Sequence, residues 1–88
     1  MYLLSPTRKY VDDAKKFPDD TKAKLKEQHY LLEENPFHPS LHSKLLKGKL
    51  KGVFSFRIGR DYRGLFIINT RDKIIELLRI DLRDSIYK

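Results

Sequence analysis

The chain has 88 residues, with 19 Lys/Arg against 12 Asp/Glu and a formal net charge of +7. That length holds one modest core, so residues 1–88 are expected to form a single domain. It contains no cysteine, which excludes a disulfide framework and a thiolate metal site and fits a reducing cytoplasm. No run of about 18 apolar residues is present, which excludes a membrane-spanning helix. Arg8, Lys9, Asp12 and Asp13 interrupt any apolar run between Met1 and Lys16, so that segment does not read as a signal peptide.

Taken in chain order, Tyr2-Leu3-Leu4 is a short apolar opening that predicts a strand. Ser5-Pro6 reads as an N-cap followed by proline at the first helical position. Tyr10, Ala14 and Phe17 then recur at helical spacing, with Val11 beside them. Phe17-Pro18 ends that helix, because proline drives the residue before it out of the helical region. Asp19 and Asp20 suit the first turn of a second helix, where carboxylates meet the positive end of the dipole. Leu25, His29 and Leu32 share a face of it, and Asn35-Pro36 ends it. The two segments predict a helical hairpin.

The second half reads as sheet. Between Val53 and Ile58, Phe54, Phe56 and Ile58 take one face, and Val53, Ser55 and Arg57 the other. Gly59-Arg60-Asp61 is a turn, Tyr62 to Ile68 a second apolar strand, Asn69-Thr70-Arg71-Asp72 a second turn, and Ile74 to Leu82 a third strand. The fold class is therefore α+β: a short N-terminal strand, a two-helix hairpin, then a three-stranded antiparallel meander with one face on the helices. No repeat, low-complexity tract or inter-domain linker interrupts it.

The charge is unevenly placed. Met1 to Ser40 holds seven Lys/Arg and seven Asp/Glu, whereas Leu41 to Lys88 holds twelve against five. Lys44 to Arg63 alone carries seven basic residues and one acid, Asp61. Such focusing draws polyanions, whether nucleic acid, an acidic partner protein or anionic lipid.

Four blocks of residues sharpen this. Leu46 to Gly52 (LKGKLKG) precedes Phe54-Ser55-Phe56-Arg57 and then Asp61-Tyr62-Arg63. Near the C-terminus, Leu77 to Tyr87 (LLRIDLRDSIY) carries Arg83 and Tyr87. In order and spacing these blocks resemble the "L-x-G … S-x-R-x … Y-R" and closing "R/H-x-x-V-Y" motifs of the RelE/ParE superfamily, the toxins of type II toxin–antitoxin pairs. The resemblance covers essentially the whole chain and is strongest from Leu46 to Tyr87. It implies a cognate antitoxin, acidic over its toxin-binding segment and at least partly disordered alone. It also implies one of two activities: ribosome-dependent cleavage of messenger RNA, or poisoning of DNA gyrase by a non-enzymatic binding toxin.

For the ribonuclease branch, the resemblance implies attack of a ribose 2′-OH on the adjacent phosphate, with no cofactor and no metal. That reaction needs a base, cations for the developing phosphorane charge and an acid for the leaving 5′-oxygen. Arg57 and Arg63 are the phosphate-gripping candidates, since a guanidinium fork can hold two phosphate oxygens. Strand parity places both on the helix-free face, where Arg63 is expected to be exposed beside Arg57. Arg83 and Tyr87 fall on the closing motif, arginine as a fixed charge and tyrosine as a stacking or proton-passing group. Lys49 is taken as the base, although relatives place lysines on the strand of Arg57, where this chain has Val53 and Ser55. Lys44, Lys47, Lys51, Arg60 and Arg79 are expected to hold RNA phosphates. His29, His38 and His42 lack the acid-rich company a metal site requires, so no metal is expected.

Overall fold

The computed structural model describes residues 1–48 and 51–82. Strand β1 (Leu3–Pro6) leads into helices α1 (Arg8–Lys15) and α2 (Asp19–Glu34), and a short 3-10 turn (Pro39–Leu41) follows. Strands β2 (Lys44–Leu45), β3 (Phe54–Ile58), β4 (Tyr62–Asn69) and β5 (Ile74–Leu82) complete the elements among the described residues. The expected α+β order is present, and β3, β4 and β5 form the expected antiparallel meander. Two further pairings widen it to a five-stranded sheet of order β1-β5-β4-β3-β2. In it β1 lies parallel to β5, and the two-residue β2 lies antiparallel to β3.

The first helix begins later than Ser5-Pro6 predicts. Ser5 and Pro6 are needed by β1, whose ladder pairs them with Glu76 and Leu77. Proline is tolerated there because β1 is an edge strand. The cap falls instead to Thr7, whose backbone is extended and whose hydroxyl accepts from Tyr10 N at 3.1 Å. The break at Pro18, the acids Asp19 and Asp20 in the first turn of α2, and its end before Asn35 stand as predicted.

Both helices pack on one face of the sheet. Tyr10, Phe17, Leu25 and Leu32 meet Phe56, Ile58, Phe66, Ile75, Leu77 and Ile80 in one buried cluster. Tyr10 Oη and His29 Nε2 lie 2.7 Å apart and tie α1 to α2. Burial pushes the Tyr10 hydroxyl up and the His29 imidazole down, so both are held neutral near pH 7. Gly64 is required by this packing: a Cβ there would collide with Phe56 Cε1. Val11, expected beside the core residues of α1, is instead 37% exposed.

Helix α1 also finishes the edge of β5. Where β1 stops, Thr7 Oγ1 donates to Leu78 O at 2.7 Å, and Ile80 N donates to Asp13 Oδ2 at 3.0 Å. Leu78 is the extra residue of a bulge: Leu65 pairs with Arg79, but Phe66 pairs with Leu77. The bulge lets Leu77 and Ile80 both face the helices and puts Arg79 and Asp81 on the opposite side.

Candidate phosphate-binding face

The side of the sheet away from the helices is built by strand alternation. Residues directly opposite one another on antiparallel strands share a face, with Cβ atoms roughly 4.5–5.5 Å apart. On that rule the register gives two rows. One runs Lys44, Ser55, Leu65, Arg79, and the other runs Arg57, Arg63, Asp81. The predicted pair Arg57 and Arg63 is thus brought together on adjacent strands. Like charges placed opposite each other destabilise a sheet. Two cations held at that spacing create a field that an anion would relieve.

The two arginines differ in a way that corrects an expectation. Arg57 is half-buried, and its Nε is enclosed without a hydrogen-bond partner among the described residues. Arg63, expected to be exposed, is 1% exposed. Parity fixed its face but not what lies on that face. It stands on the central strand between Arg57 and Asp81, and this side carries its own small apolar cluster. There Leu46 packs with Val53 and Leu65, and Leu78 lies against them. Leu46 lies opposite Val53, to whose carbonyl its N–H donates at 2.8 Å, and so shares this face with it.

The remaining predicted residues divide. Lys44, Lys47 and Lys51 are exposed on β2 and the connection after it, flanking the face. Arg79 stands on the face, but its Nε is 2.7 Å from Asp81 Oδ2, so part of its charge is already answered. Arg60 projects from the β3–β4 turn rather than from the face. Lys49, Arg83 and Tyr87 lie outside the described residues. Asp81 was missed by sequence reasoning. It is the one carboxylate in the Arg57–Arg63 row among the described residues, and parity along β5, counted through the bulge, is the signal that finds it.

Around the edge of β3 the face adjoins a cleft of about 720 Å³ lined by residues of α2, the 3-10 turn and the β3–β4 turn, among them Lys24, Tyr30, His42, Arg57 and Arg60. Gln28 fixes its floor, donating to Arg57 O at 2.8 Å and to Ser40 O at 3.3 Å. His42 caps the 3-10 turn in the left-handed region, with φ 49°. On the far side of the helices, Leu4, Pro6, Tyr10, Val11, Ala14 and Leu77 line an apolar groove of about 340 Å³, with Lys15 and Lys22 also along it. Among the described residues, no helix is long and apolar enough to cross a membrane.

This is thus a basic α+β protein with cross-strand arginines on the uncovered side of its sheet. Solved structures say which kind. No protein-family model matches the sequence, and no curated protein matches it. The chain is similar to a protein in the toxin–antitoxin complex RelBE2 from Mycobacterium tuberculosis, at 30% identity and TM-score 0.79, over 93% of this chain and 98% of that one. It also resembles a chain of the archaeal RelE–RelB complex from Pyrococcus horikoshii, at 24% identity, TM-score 0.80, and 93% and 94% coverage. YafQ from Escherichia coli shares the fold at 18% identity and TM-score 0.76, with both chains covered in full. The chain belongs to the RelE/ParE superfamily of toxins.

Proposed function

We propose that this protein is the toxin of a type II toxin–antitoxin pair and that it cuts messenger RNA on the ribosome without a metal. Residues 1–88 would act as one domain in the cytoplasm, with the ribosome and its message as target. One observation carries the reading: Arg57 and Arg63 oppose each other across adjacent strands, with a guanidinium nitrogen of Arg57 enclosed and without a hydrogen-bond partner among the described residues. A phosphate passing from a monoanion to a phosphorane gains charge where two such cations converge. Preorganised donors of this kind are typically worth about 10²–10³ in rate each. Lys44, Lys47 and Lys51 would steer the polyanion, and Arg79 would hold a neighbouring phosphate. Lys49, Arg83 and Tyr87 complete the proposed set as base, fixed charge, and stacking or proton-passing group.

An antitoxin is the second proposed partner. The apolar groove between α1, α2 and β1 offers a partner segment an apolar surface to cover, and Lys15 and Lys22 would meet its acids. The solved complexes of relatives support this reading, since two of them are toxin–antitoxin pairs by name.

A second reading, a gyrase poison that binds without cutting, is favoured by one feature. Among the described residues the arginine face offers no histidine and one carboxylate, Asp81, which is engaged by Arg79. Primer extension on translated message separates the two. We expect new 3′ ends inside codons on ribosome-bound message and little cutting of naked RNA. Intact message together with gyrase-linked DNA breaks would sink the ribonuclease reading in favour of the poison.

A further inference from the structure

The cleft beside the arginine face has no part in the chemistry above, and its lining is unlike a solvated helix surface. Lys24, Glu27 and Tyr30 come from α2, His42 from the end of the 3-10 turn, and Arg57 and Arg60 from β3 and the turn after it. Three fixed cations face one carboxylate. Tyr30 is 59% exposed and makes no ring contact among the described residues. Its volume of about 720 Å³ falls within the roughly 300–1,000 Å³ usual for sites that enclose a small organic ligand. A positively charged groove with an exposed aromatic is the arrangement by which proteins hold single strands. Cations track the phosphates, and each base offers a face for stacking.

Position gives the cleft a direction. Arg57 lines it and also stands opposite Arg63 on the sheet, so a strand lying in the cleft arrives at the proposed cutting site. We propose that this cleft binds single-stranded RNA, gripping phosphates with Lys24 and Arg60 and stacking a base on Tyr30, and so leads the strand to Arg57. The inference rests on the reading that RNA is the target. Glu27 favours a nucleic acid over an acidic peptide. A peptide carboxylate would meet it as a like charge, whereas a ribose 2′-OH or a base amino group can donate to it.

The test is binding of a short labelled single-stranded RNA to the full-length protein, followed by fluorescence anisotropy. Stacking on an aromatic is worth about 1–3 kcal/mol per base. Tyr30→Ala should therefore weaken binding by about 5- to 150-fold, and Tyr30→Phe should restore most of it. Lys24→Glu combined with Arg60→Glu should weaken binding further. It should also flatten the dependence of log K on log salt by about 1–1.5, because each phosphate neutralised on a single strand contributes about 0.7. Lys26→Glu with Arg71→Glu makes the same charge change away from the cleft and should keep most of the affinity. Thermal melts confirm that each variant folds. Equal losses in the two charge-reversal pairs, wild-type affinity in Tyr30→Ala, or no binding by the wild type would each overturn the inference. Message cleavage by a protein whose cleft proves inert removes this inference and leaves the endonuclease standing. RNA held in the cleft of a protein that cuts no message does the reverse.

Discussion

The two faces of the sheet are made by the same strands and solve opposite problems. On the helix side, Phe54, Phe56, Ile58, Phe66 and Ile75 are matched by side chains from α1 and α2, and packing alone accounts for each of them. On the other side the same alternation delivers Ser55, Arg57, Arg63, Arg79 and Asp81. Burial there does not accompany satisfaction in the same way. Among the described residues, Ser55 Oγ is enclosed without a hydrogen-bond partner, and so is Arg57 Nε. A buried donor left unmade costs about 1–3 kcal/mol. The helix face stabilises the fold, and the arginine face draws on that stability to hold cations close together. On the proposed function, that division is where the fold departs from its optimum for the sake of a site.

Arg63 tests the contrast most severely, since it is both buried and charged. Arg63→Ala should lower message cleavage by at least about 10²-fold, the scale for losing one preorganised donor. It should also destabilise the protein by about 1–3 kcal/mol, because a large buried side chain is removed. Arg57→Ala should show a comparable loss of cleavage with a change in stability within about 0.5–1 kcal/mol, since its side chain is only half-buried. Urea melts beside primer extension on the two variants read both quantities. Equal melts would mean that Arg63 is no more structural than Arg57, and the two faces would lose their distinction at the central strand.

Gly64 probes the covered face. Its absent Cβ leaves the space that Phe56 fills, so Gly64→Ala forces the ring to move within a close-packed core. We expect a loss of about 1–3 kcal/mol by overpacking, with cleavage per folded molecule unchanged. Gly64→Ala combined with Phe56→Leu should recover part of it. A single variant as stable as the wild type would show the helix face to be looser than its burial implies.

Much of this was legible in the sequence because it is local. The β3 alternation, both turns, the break at Pro18 and the span of β5 follow from period, proline and turn chemistry, and all stand. Membership of the superfamily was legible from the spacing of Leu46–Gly52, Arg57 and Arg63. What the sequence hid was non-local. Nothing in Leu3–Pro6 announces that it pairs with β5, 71 residues on from Leu3 at Ile74. That pairing moved the helix cap from Ser5 to Thr7. Nothing in Arg63 announces that Leu46 is drawn across the face by Val53 and changes what an arginine there experiences. The cleft was hidden for the same reason, since Lys24, Tyr30 and Arg60 are far apart in the chain.

The carboxylates of α1 repeat the contrast on one helix, and the smallest effect of all belongs to one of them. Asp12 lies 3.8 Å from Arg8, whose side chain is 94% exposed, and such a pair is worth less than about 0.5 kcal/mol. Asp13 is buried beside β5, accepting from Lys9 Nζ at 2.6 Å and Ile80 N at 3.0 Å. Burial would raise its carboxyl, but the hydrogen bonds from Lys9 and Ile80 outweigh it and hold the group below its usual 3.8. A carboxyl depressed in the folded state stabilises above its unfolded value and loses that contribution as pH falls through its folded one. His29, pushed below 6.5 by burial, acts in the same direction at higher pH, because the unfolded chain takes up the proton first. Stability should therefore fall in two steps on acidification, beginning below pH 6.5 and steepening below 3.8. Asp13→Ala should cost about 1–3 kcal/mol at neutral pH by stranding the Ile80 N–H. Asp13→Asn should flatten the second step while sparing the first, and Asp12→Asn should change neither. Thermal melts from pH 7 to pH 3 on these variants decide it. An unaltered acid limb in Asp13→Asn would mean that the edge of β5 is held by the sheet itself and not by the helix that covers it.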